Sequence, residues 1–319
     1  MYKIGNLKLE NQLILAPMAD VNCPAFRMIC KEHGAGLVST PMFHCDFISG
    51  LYEKNKNKFE TMLGISEKER PISIQIVGSN EENIKKATLI LNQYADIIDF
   101  NLGCPDKNLL ANKSGGFFSK HPEQIEKAIK PVIENSKKPV TAKIRLGWNN
   151  ESITADKQVK ILEDLGVDAI TIHARTVKQK YQGTADWDYI KKIKQNSKTK
   201  IIGNGDIDKP GTAKARLEQT NVDFLMIGRA ALGNPFLFER TNHLIKTGKN
   251  MPEPTKEEKK ETFTKFAELY EKDKEQKISE FKQHAMWFTK SIKGAKQLRN
   301  RIMGLEEIDK IIELTKNSF

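Results

Sequence analysis

Ile97-Ile98-Asp99-Phe100-Asn101-Leu102-Gly103-Cys104-Pro105 reads as a buried strand running directly into a loop that carries a thiol. The residues just before it, Leu89 to Tyr94, have helical character, so the local order is helix, strand, loop. Pro105 fixes φ and removes a donor, which keeps the chain from passing straight into a helix, and Gly103 permits a close backbone path. The thiol therefore sits on a shaped loop, open to whatever binds at the carboxyl end of the strand.

The same alternation recurs along the chain. Apolar or β-branched runs at Gln12 to Ala16, Gly36 to Ser39, Ile72 to Val77, Ile97 to Asn101, Val140 to Arg145, Ala169 to His173, Lys200 to Asn204 and Asp223 to Ile227 read as eight strands. Helical pieces separate them, among them Glu81 to Gln93, Pro122 to Ile133, Ile153 to Leu165, Trp187 to Lys194 and Thr212 to Gln219. Eight strand-helix units predict an α/β fold, a closed TIM (β/α)8 barrel. The pattern ends near Leu244, and Lys249 to Thr255, with Pro252 and Pro254, reads as a linker. From Lys256 to Phe319 only Gly294 and Gly304 interrupt a helical pattern, which predicts a small all-helical C-terminal domain. The boundary expected is 1–248 for the barrel and 249–319 for the helices.

With 319 residues, 39% of them hydrophobic, the composition is that of a globular protein and excludes general disorder. The first residues carry no basic segment followed by an apolar stretch, and no window reaches bilayer-spanning length, so a soluble cytoplasmic protein without membrane contact is expected. Cys23, Cys30, Cys45 and Cys104 form neither a C-x-x-C pair nor a Cys/His ligand set, so no metal and no disulfide framework are expected. Net charge is +11, from 52 basic and 41 acidic residues. Phe281 to Leu305 holds Lys282, Lys290, Lys293, Lys296, Arg299 and Arg301 and no acid, with His284, Trp287 and Phe288 interleaved. Either a polyanion or plain solvent faces that stretch.

In a parallel barrel the carboxyl ends of the strands share one mouth, so polar residues far apart in sequence converge there. The glycine turns Asn204-Gly205-Asp206 and Gly228-Arg229, after the seventh and eighth strands, expose backbone N–H groups suited to a phosphate, with His173 near in barrel order. Lys143 interrupts an apolar strand and needs a compensating anion: a cofactor edge such as the pyrimidine end of a reduced flavin, or Asp99 or Asp168 within the barrel. Gln75 is a satisfied core amide or a holder of a heteroaromatic edge. Cys104 lacks the neighbours of a nucleophile or a metal site, and a thiol with pKa near ~8.5 suits a general acid.

Together these residues resemble the flavin-dependent tRNA-dihydrouridine synthases over nearly the whole chain. The resemblance rests on Ala16-Pro17-Met18-Ala19, Asn101-Leu102-Gly103-Cys104-Pro105, Lys143-Ile144-Arg145-Leu146-Gly147-Trp148, His173-Ala174-Arg175-Thr176, Asn204-Gly205-Asp206-Ile207 and Met226-Ile227-Gly228-Arg229-Ala230-Ala231. His284, Trp287-Phe288, Gly294-Ala295 and Leu298-Arg299 match the family's tail. What the resemblance implies is an FMN-binding barrel and a helical domain that grips tRNA. Pro17, Met18 and Ala19 would line the flavin, and Gln75 and Lys143 would bind its ring. His173, Asn204, Gly205, Asp206, Gly228 and Arg229 would hold its ribityl phosphate end. Asn101 and Arg175 would help seat the target base or the cofactor, and Lys282, Lys290, Lys293, Lys296 and Arg299 would meet tRNA. NADPH or NADH would reduce the FMN, and Cys104 would be the proton donor of a monomer acting on one tRNA.

The chain departs from the family pattern after Ala19, where Asp20-Val21-Asn22-Cys23-Pro24 places the proline one position early, and at Pro41-Met42, where a Glu-Met is usual. Two other functions compete: an FMN barrel oxidoreductase of free pyrimidines, of the dihydroorotate or dihydropyrimidine dehydrogenase kind, and an RNA-binding protein that has lost its chemistry. The acid-free basic tail argues against the first. Cys104, Lys143 and Arg229 argue against the second.

Overall fold

The computed structural model describes residues 1–273, 276–290 and 292–319. Its centre is a parallel sheet of eight strands: β1 (Leu13–Leu15), β2 (Val38–His44), β3 (Ile72–Val77), β4 (Ile97–Asn101), β5 (Val140–Arg145), β6 (Ala169–His173), β7 (Lys200–Asn204) and β8 (Phe224–Ile227). Their spatial order is β1-β8-β7-β6-β5-β4-β3-β2. A bridge from Ile14 to Leu37 and the Leu15 N–H donating to Leu37 O at 2.9 Å join β1 to the start of β2, closing the cylinder. The eight-stranded (β/α)8 barrel predicted from the sequence is therefore the fold. β2 runs on to His44, past Pro41, because a register shift between Ser39 and Met42 lets the strand continue and sets Met42 beside Gln75.

Register explains why one end of this barrel is polar inside. Side chains alternate faces along a strand, so Thr141, Lys143 and Arg145 of β5 share the face opposite that of Val140, Ala142 and Ile144. Cross-strand partners then form rows: Met42, Gln75, Asp99 and Thr141; above them Asn101, Lys143 and Thr171; above those Arg145, His173, Asn204 and Met226. The apolar halves of the strands pack against the surrounding helices, where Ile74, Ile98, Ile144 and Ile172 are fully buried.

One helix of the ring, α1 (Pro24–Glu32), lies between the barrel and the C-terminal segment. Its Arg27 is buried and forms a forked pair with the equally buried Glu69, Nε to Oε2 at 2.7 Å and Nη2 to Oε1 at 3.1 Å. Arg27 also donates to the carbonyls of Asn22, Leu63 and Gly64, so no guanidinium nitrogen is left without an acceptor.

The segment expected to be helical throughout is four helices: α2 (Lys256–Tyr270), α3 (Ile278–Phe288), α4 (Ala295–Gly304) and α5 (Ile308–Lys316). The part of that expectation covering Lys274, Glu275 and Ser291 lies outside the described residues. Neither glycine nor proline marks the break after Tyr270. There the Tyr270 hydroxyl accepts the Lys277 N–H at 2.9 Å and so supplies the turn from a side chain. Phe263, Phe266 and Tyr270 of α2 meet Phe281, His284 and Phe288 of α3 with ring centroids 4.7 to 6.2 Å apart. The helices dock on α1, with Lys265 to Glu32 at 2.8 Å and His284 against Phe26.

Because Arg27 would keep its charge in a dry site, Glu69→Ala is expected to destabilise the protein by about 3–5 kcal/mol. Chemical denaturation would detect this as a lowered midpoint with an unchanged slope.

Candidate active site

At the carboxyl ends of the strands lies a cavity of about 970 Å³. It is of the size that takes a cofactor together with part of a substrate. Cys104 lies at its wall on a loop fastened from three directions. Asn101 Oδ1 accepts the Gly103 and Cys104 N–H groups at 3.0 and 2.9 Å. Arg145 Nε donates to Gly103 O at 2.9 Å, and the Gly116 N–H donates to Cys104 O at 2.8 Å. Downstream, Asp106 caps the short helix Lys107–Ala111 by accepting the N–H groups of Asn108 and Leu109. Burial raises the Cys104 thiol above its ordinary range, against the pull of the Asp106 N–H and of Arg145 and Lys143. It is protonated at neutral pH.

Beneath the thiol loop runs a chain of amides. Asn101 Nδ2 donates to Gln75 Oε1 at 2.9 Å, Gln75 Nε2 donates to Asp99 Oδ2 at 2.6 Å, and Thr141 Oγ1 donates to Asp99 Oδ1 at 2.6 Å. Asp99 is raised by burial, while Thr141, Gln75 and Lys143 oppose the shift. The ion pairs considered for Lys143 are not formed among the described residues. Asp99 is held by Gln75 and Thr141, and Asp168 accepts the Val140 N–H at the other end of β5. Burial, and then Arg145 beside it, lower Lys143 to about 8.

Cations dominate the mouth. His173 is driven well below its usual range by burial and by Lys143, Arg145, Arg175 and Arg229, so its imidazole is neutral. Burial lowers Arg145 to about 10, still charged at pH 7. Arg175 donates to Gln182 O, Gly183 O and the Asp206 carboxylate, the last at 2.8 Å, and so orders the loop after β6, while its Nη1 is buried without an acceptor. Asp206 also accepts the Ala185 N–H, and Arg175 is chief among the groups that hold its carboxyl below the usual range against burial.

After β7, Gly205 has φ +129°, a conformation side-chain-bearing residues rarely adopt, and its carbonyl accepts the Trp187 indole N–H at 2.9 Å. Asn204 Nδ2 donates to Met226 O at 2.8 Å. A Cβ on Gly228 would project beside Ala16 Cβ and Met18 Sδ, into the cavity. Arg229 is exposed and stacks on Tyr181 at 4.7 Å, with Arg145 at 5.8 Å from the same ring.

The residues singled out from the sequence thus divide into two sets. Pro17, Met18, Ala19, Gln75, Asn101, Cys104, Lys143, His173, Arg175, Asn204, Gly205, Asp206, Gly228, Arg229 and Lys290 all line this one cavity. Lys282 does not, its ammonium instead donating to Met303 O at 2.9 Å, and Lys293, in the turn before α4, and Lys296 and Arg299, on α4, are exposed outside it. Sequence reasoning passed over Tyr181, 56% exposed at the mouth, together with Met42, Met226 and Trp287. Tyr181 carried a weak signal, an aromatic in a polar loop between His173 and Gly183. Met42 stands in the sequence only as a departure from the family pattern and Trp287 only among the basic residues of the tail; the register shift and the docking of α3 bring them to the cavity.

Comparison with known proteins agrees with this geometry. The family described as dihydrouridine synthase (Dus) matches residues 14–317. A tRNA-dihydrouridine synthase B of Vibrio vulnificus is 36% identical over 310 residues, 95% of this chain and 94% of the relative. One from Pseudomonas aeruginosa is 32% identical over 310 residues, 96% of this chain and 92% of that one. Among solved structures, morphinone reductase in complex with tetrahydroNAD superposes with a TM-score of 0.55 at 15% identity, covering 80% of this chain and 92% of that chain. A 2-naphthoyl-CoA reductase complex gives 0.59 at 13% identity, covering 76% and 51%. These two share the fold.

Lys143 loses its proton as pH rises through about 8. Competitive acylation of the ligand-free protein, read by peptide mass spectrometry, should show half-maximal reactivity of Lys143 near that pH, against roughly 10.4 for surface lysines. An anion bound beside it should move the midpoint upward.

Proposed function

Because the chain belongs to the dihydrouridine synthase family, we propose that it reduces a uridine of tRNA to 5,6-dihydrouridine on FMN that NADPH or NADH has reduced, with Cys104 as proton donor. The observation that carries this reading is the placement of a protonated thiol, on a loop whose Gly103 and Cys104 N–H and C=O groups are all hydrogen-bonded, in one cavity with a lysine that forms no ion pair among the described residues and a neutral histidine.

The residues present fit FMN. The cavity is large enough, a side chain on Gly228 would fill part of it, and among the described residues Arg175 Nη1 has no acceptor and Lys143 forms no ion pair, Asp99 acting on it only through space. Gly205, Asp206, Gly228 and Arg229, with His173 and Asn204, would hold the ribityl phosphate end. Lys143 and Gln75 would hold the ring edge, with Pro17, Met18 and Ala19 along it. When bound and reduced, FMN supplies the hydride that C6 of the uracil receives.

The chain's own part is to position the base and move a proton. Charge that develops at C5 is met by Cys104: the S–H bond breaks, a C5–H bond forms, and the thiolate left behind is stabilised by Arg145 and Lys143 before solvent reprotonates it. Neutral His173 can bond without adding charge. Asn101 keeps one amide hydrogen free of its bond to Gln75, and Arg175 keeps Nη1 free; both are available to a pyrimidine edge.

The helical segment 249–319 serves as the grip on tRNA, with Lys282, Lys290, Lys293, Lys296 and Arg299 toward the phosphates. Among the described residues no helix is long and apolar enough to cross a membrane. We place the enzyme in the cytoplasm, as a monomer on one tRNA. A free-pyrimidine reductase has no use for basic helices that close on the mouth of the barrel.

Cys104→Ala should keep its flavin, seen in the visible spectrum, and lose about 10²–10⁴-fold in dihydrouridine formation. Nucleoside analysis of tRNA treated with the variant checks this, and full activity would remove Cys104 from the role.

A further inference from the structure

Helix α3 buries Phe281, His284, Ala285 and Phe288 along one face, which leaves Trp287 off that face and half-buried. Two contacts fix where its end lies. His284 Nε2 bonds to Val21 O at 3.0 Å, in the loop that follows β1, and its ring packs on Phe26 and Phe266. Gly233, at φ +65°, presses so closely on the helix that a Cβ there would stand 2.2 Å from the Trp287 carbonyl carbon. With the end of α3 held against the barrel, Trp287 and Lys290 become part of the wall of the cavity that holds Cys104.

The Trp287 ring meets the His284 ring edge to face, with centroids 5.0 Å apart, and among the described residues neither Trp287 nor Lys290 has its polar group engaged. Lys290 is exposed and pairs with no carboxylate among the described residues, and among them the Trp287 indole N–H has no acceptor. The turn that ends α3, where the Lys290 N–H donates to Trp287 O at 3.2 Å, sets the two residues three positions apart on the same wall of the cavity. An aromatic face with a cation beside it is the pairing that binds a single-stranded nucleotide, base on ring and phosphate on ammonium. The uridine to be reduced must reach Cys104 on the β4 side, and the cofactor's cradle is built from strand ends. A rim position supplied by the helical segment is left for the neighbouring nucleotide.

We propose that Trp287 and Lys290 form a docking point for the nucleotide next to the reduced uridine, the indole stacking on its base and the ammonium taking its phosphate. This rests on the tRNA reading above. Extrusion of one base from a folded RNA leaves its neighbour unstacked, and Trp287 would replace the lost stacking partner.

The test uses the full-length, FMN-loaded enzyme and its Trp287→Ala, Trp287→Phe and Lys290→Ala variants, with equilibrium binding of unmodified tRNA at several salt concentrations and FMN content as readouts. Trp287→Ala should weaken tRNA binding by about tenfold while keeping its FMN, and Trp287→Phe should recover most of the loss. Lys290→Ala should reduce the slope of log affinity against log salt by about one. Unchanged tRNA affinity in Trp287→Ala overturns the proposal, whether the variant is otherwise intact, has lost FMN or has only become less stable. An unchanged salt slope in Lys290→Ala removes the phosphate contact and overturns it as stated. Failure of the parent enzyme to bind tRNA at all would instead remove the reading beneath it.

Discussion

Asn101 Oδ1 accepts the backbone N–H groups of both Gly103 and Cys104, and the mouth of the barrel is organised around keeping that amide in one orientation. The orientation is set from below. Gln75 can take the Asn101 N–H on its oxygen only because its own nitrogen faces Asp99, and the two oxygens of Asp99 each accept one donor, from Gln75 and from Thr141. A buried acid in the barrel floor thereby dictates which way two amides point and where a thiol stands one strand-end above it. Lost polarity at any step would leave a buried donor or acceptor unsatisfied, which is costly in a dry interior.

The same floor accounts for the electrostatics of the cavity. Among the described residues Asp99 is the one carboxylate that bears on Lys143, and it is shared with neutral donors, so it offsets only part of the lysine's burial. Lys143, Arg145, Arg175 and Arg229 therefore leave a positive field that adds to burial in depressing His173 and invites an anion. The FMN placement proposed above would set an anionic phosphate and the charge of a reduced ring within that field. The thiol, raised by burial, is protonated at neutral pH, and the same cations would favour its thiolate in the proton-donor role proposed for it.

The helical segment is bound into the same unit through α1. Arg27 and Glu69 anchor that helix and the Asn22 carbonyl, and Asn22 in turn donates to Ala16 O and Ser39 O, between the ends of β1 and β2. His284 enters from the other side to reach Val21 O. Burial holds His284 to about 4, so the ring stays neutral through the physiological range and the contact does not titrate there. The loop carrying Met18 is thus gripped by a strand, a helix and the C-terminal segment together.

Much of this was legible in the chain alone. Strand-length apolar runs alternating with helical periods specify eight parallel strands, because burial on both faces demands them, and the polar residue at nearly every strand end is a local signal that needs no coordinates. Cys104, Lys143, Gly205 and Arg229 were visible for that reason. Three things were not local. The continuation of β2 past Pro41 depends on a register shift against β3, the turn after Tyr270 depends on a side-chain hydroxyl reaching Lys277, and Trp287 enters the cavity because Gly233 admits the helix end. Sequence determined the barrel and its reactive set, since periodicity and residue chemistry are properties of short segments. Which side chains meet in the amide chain beneath Cys104, and which aromatic lines the cavity, were decided only by tertiary packing, because those contacts join residues tens to hundreds of positions apart.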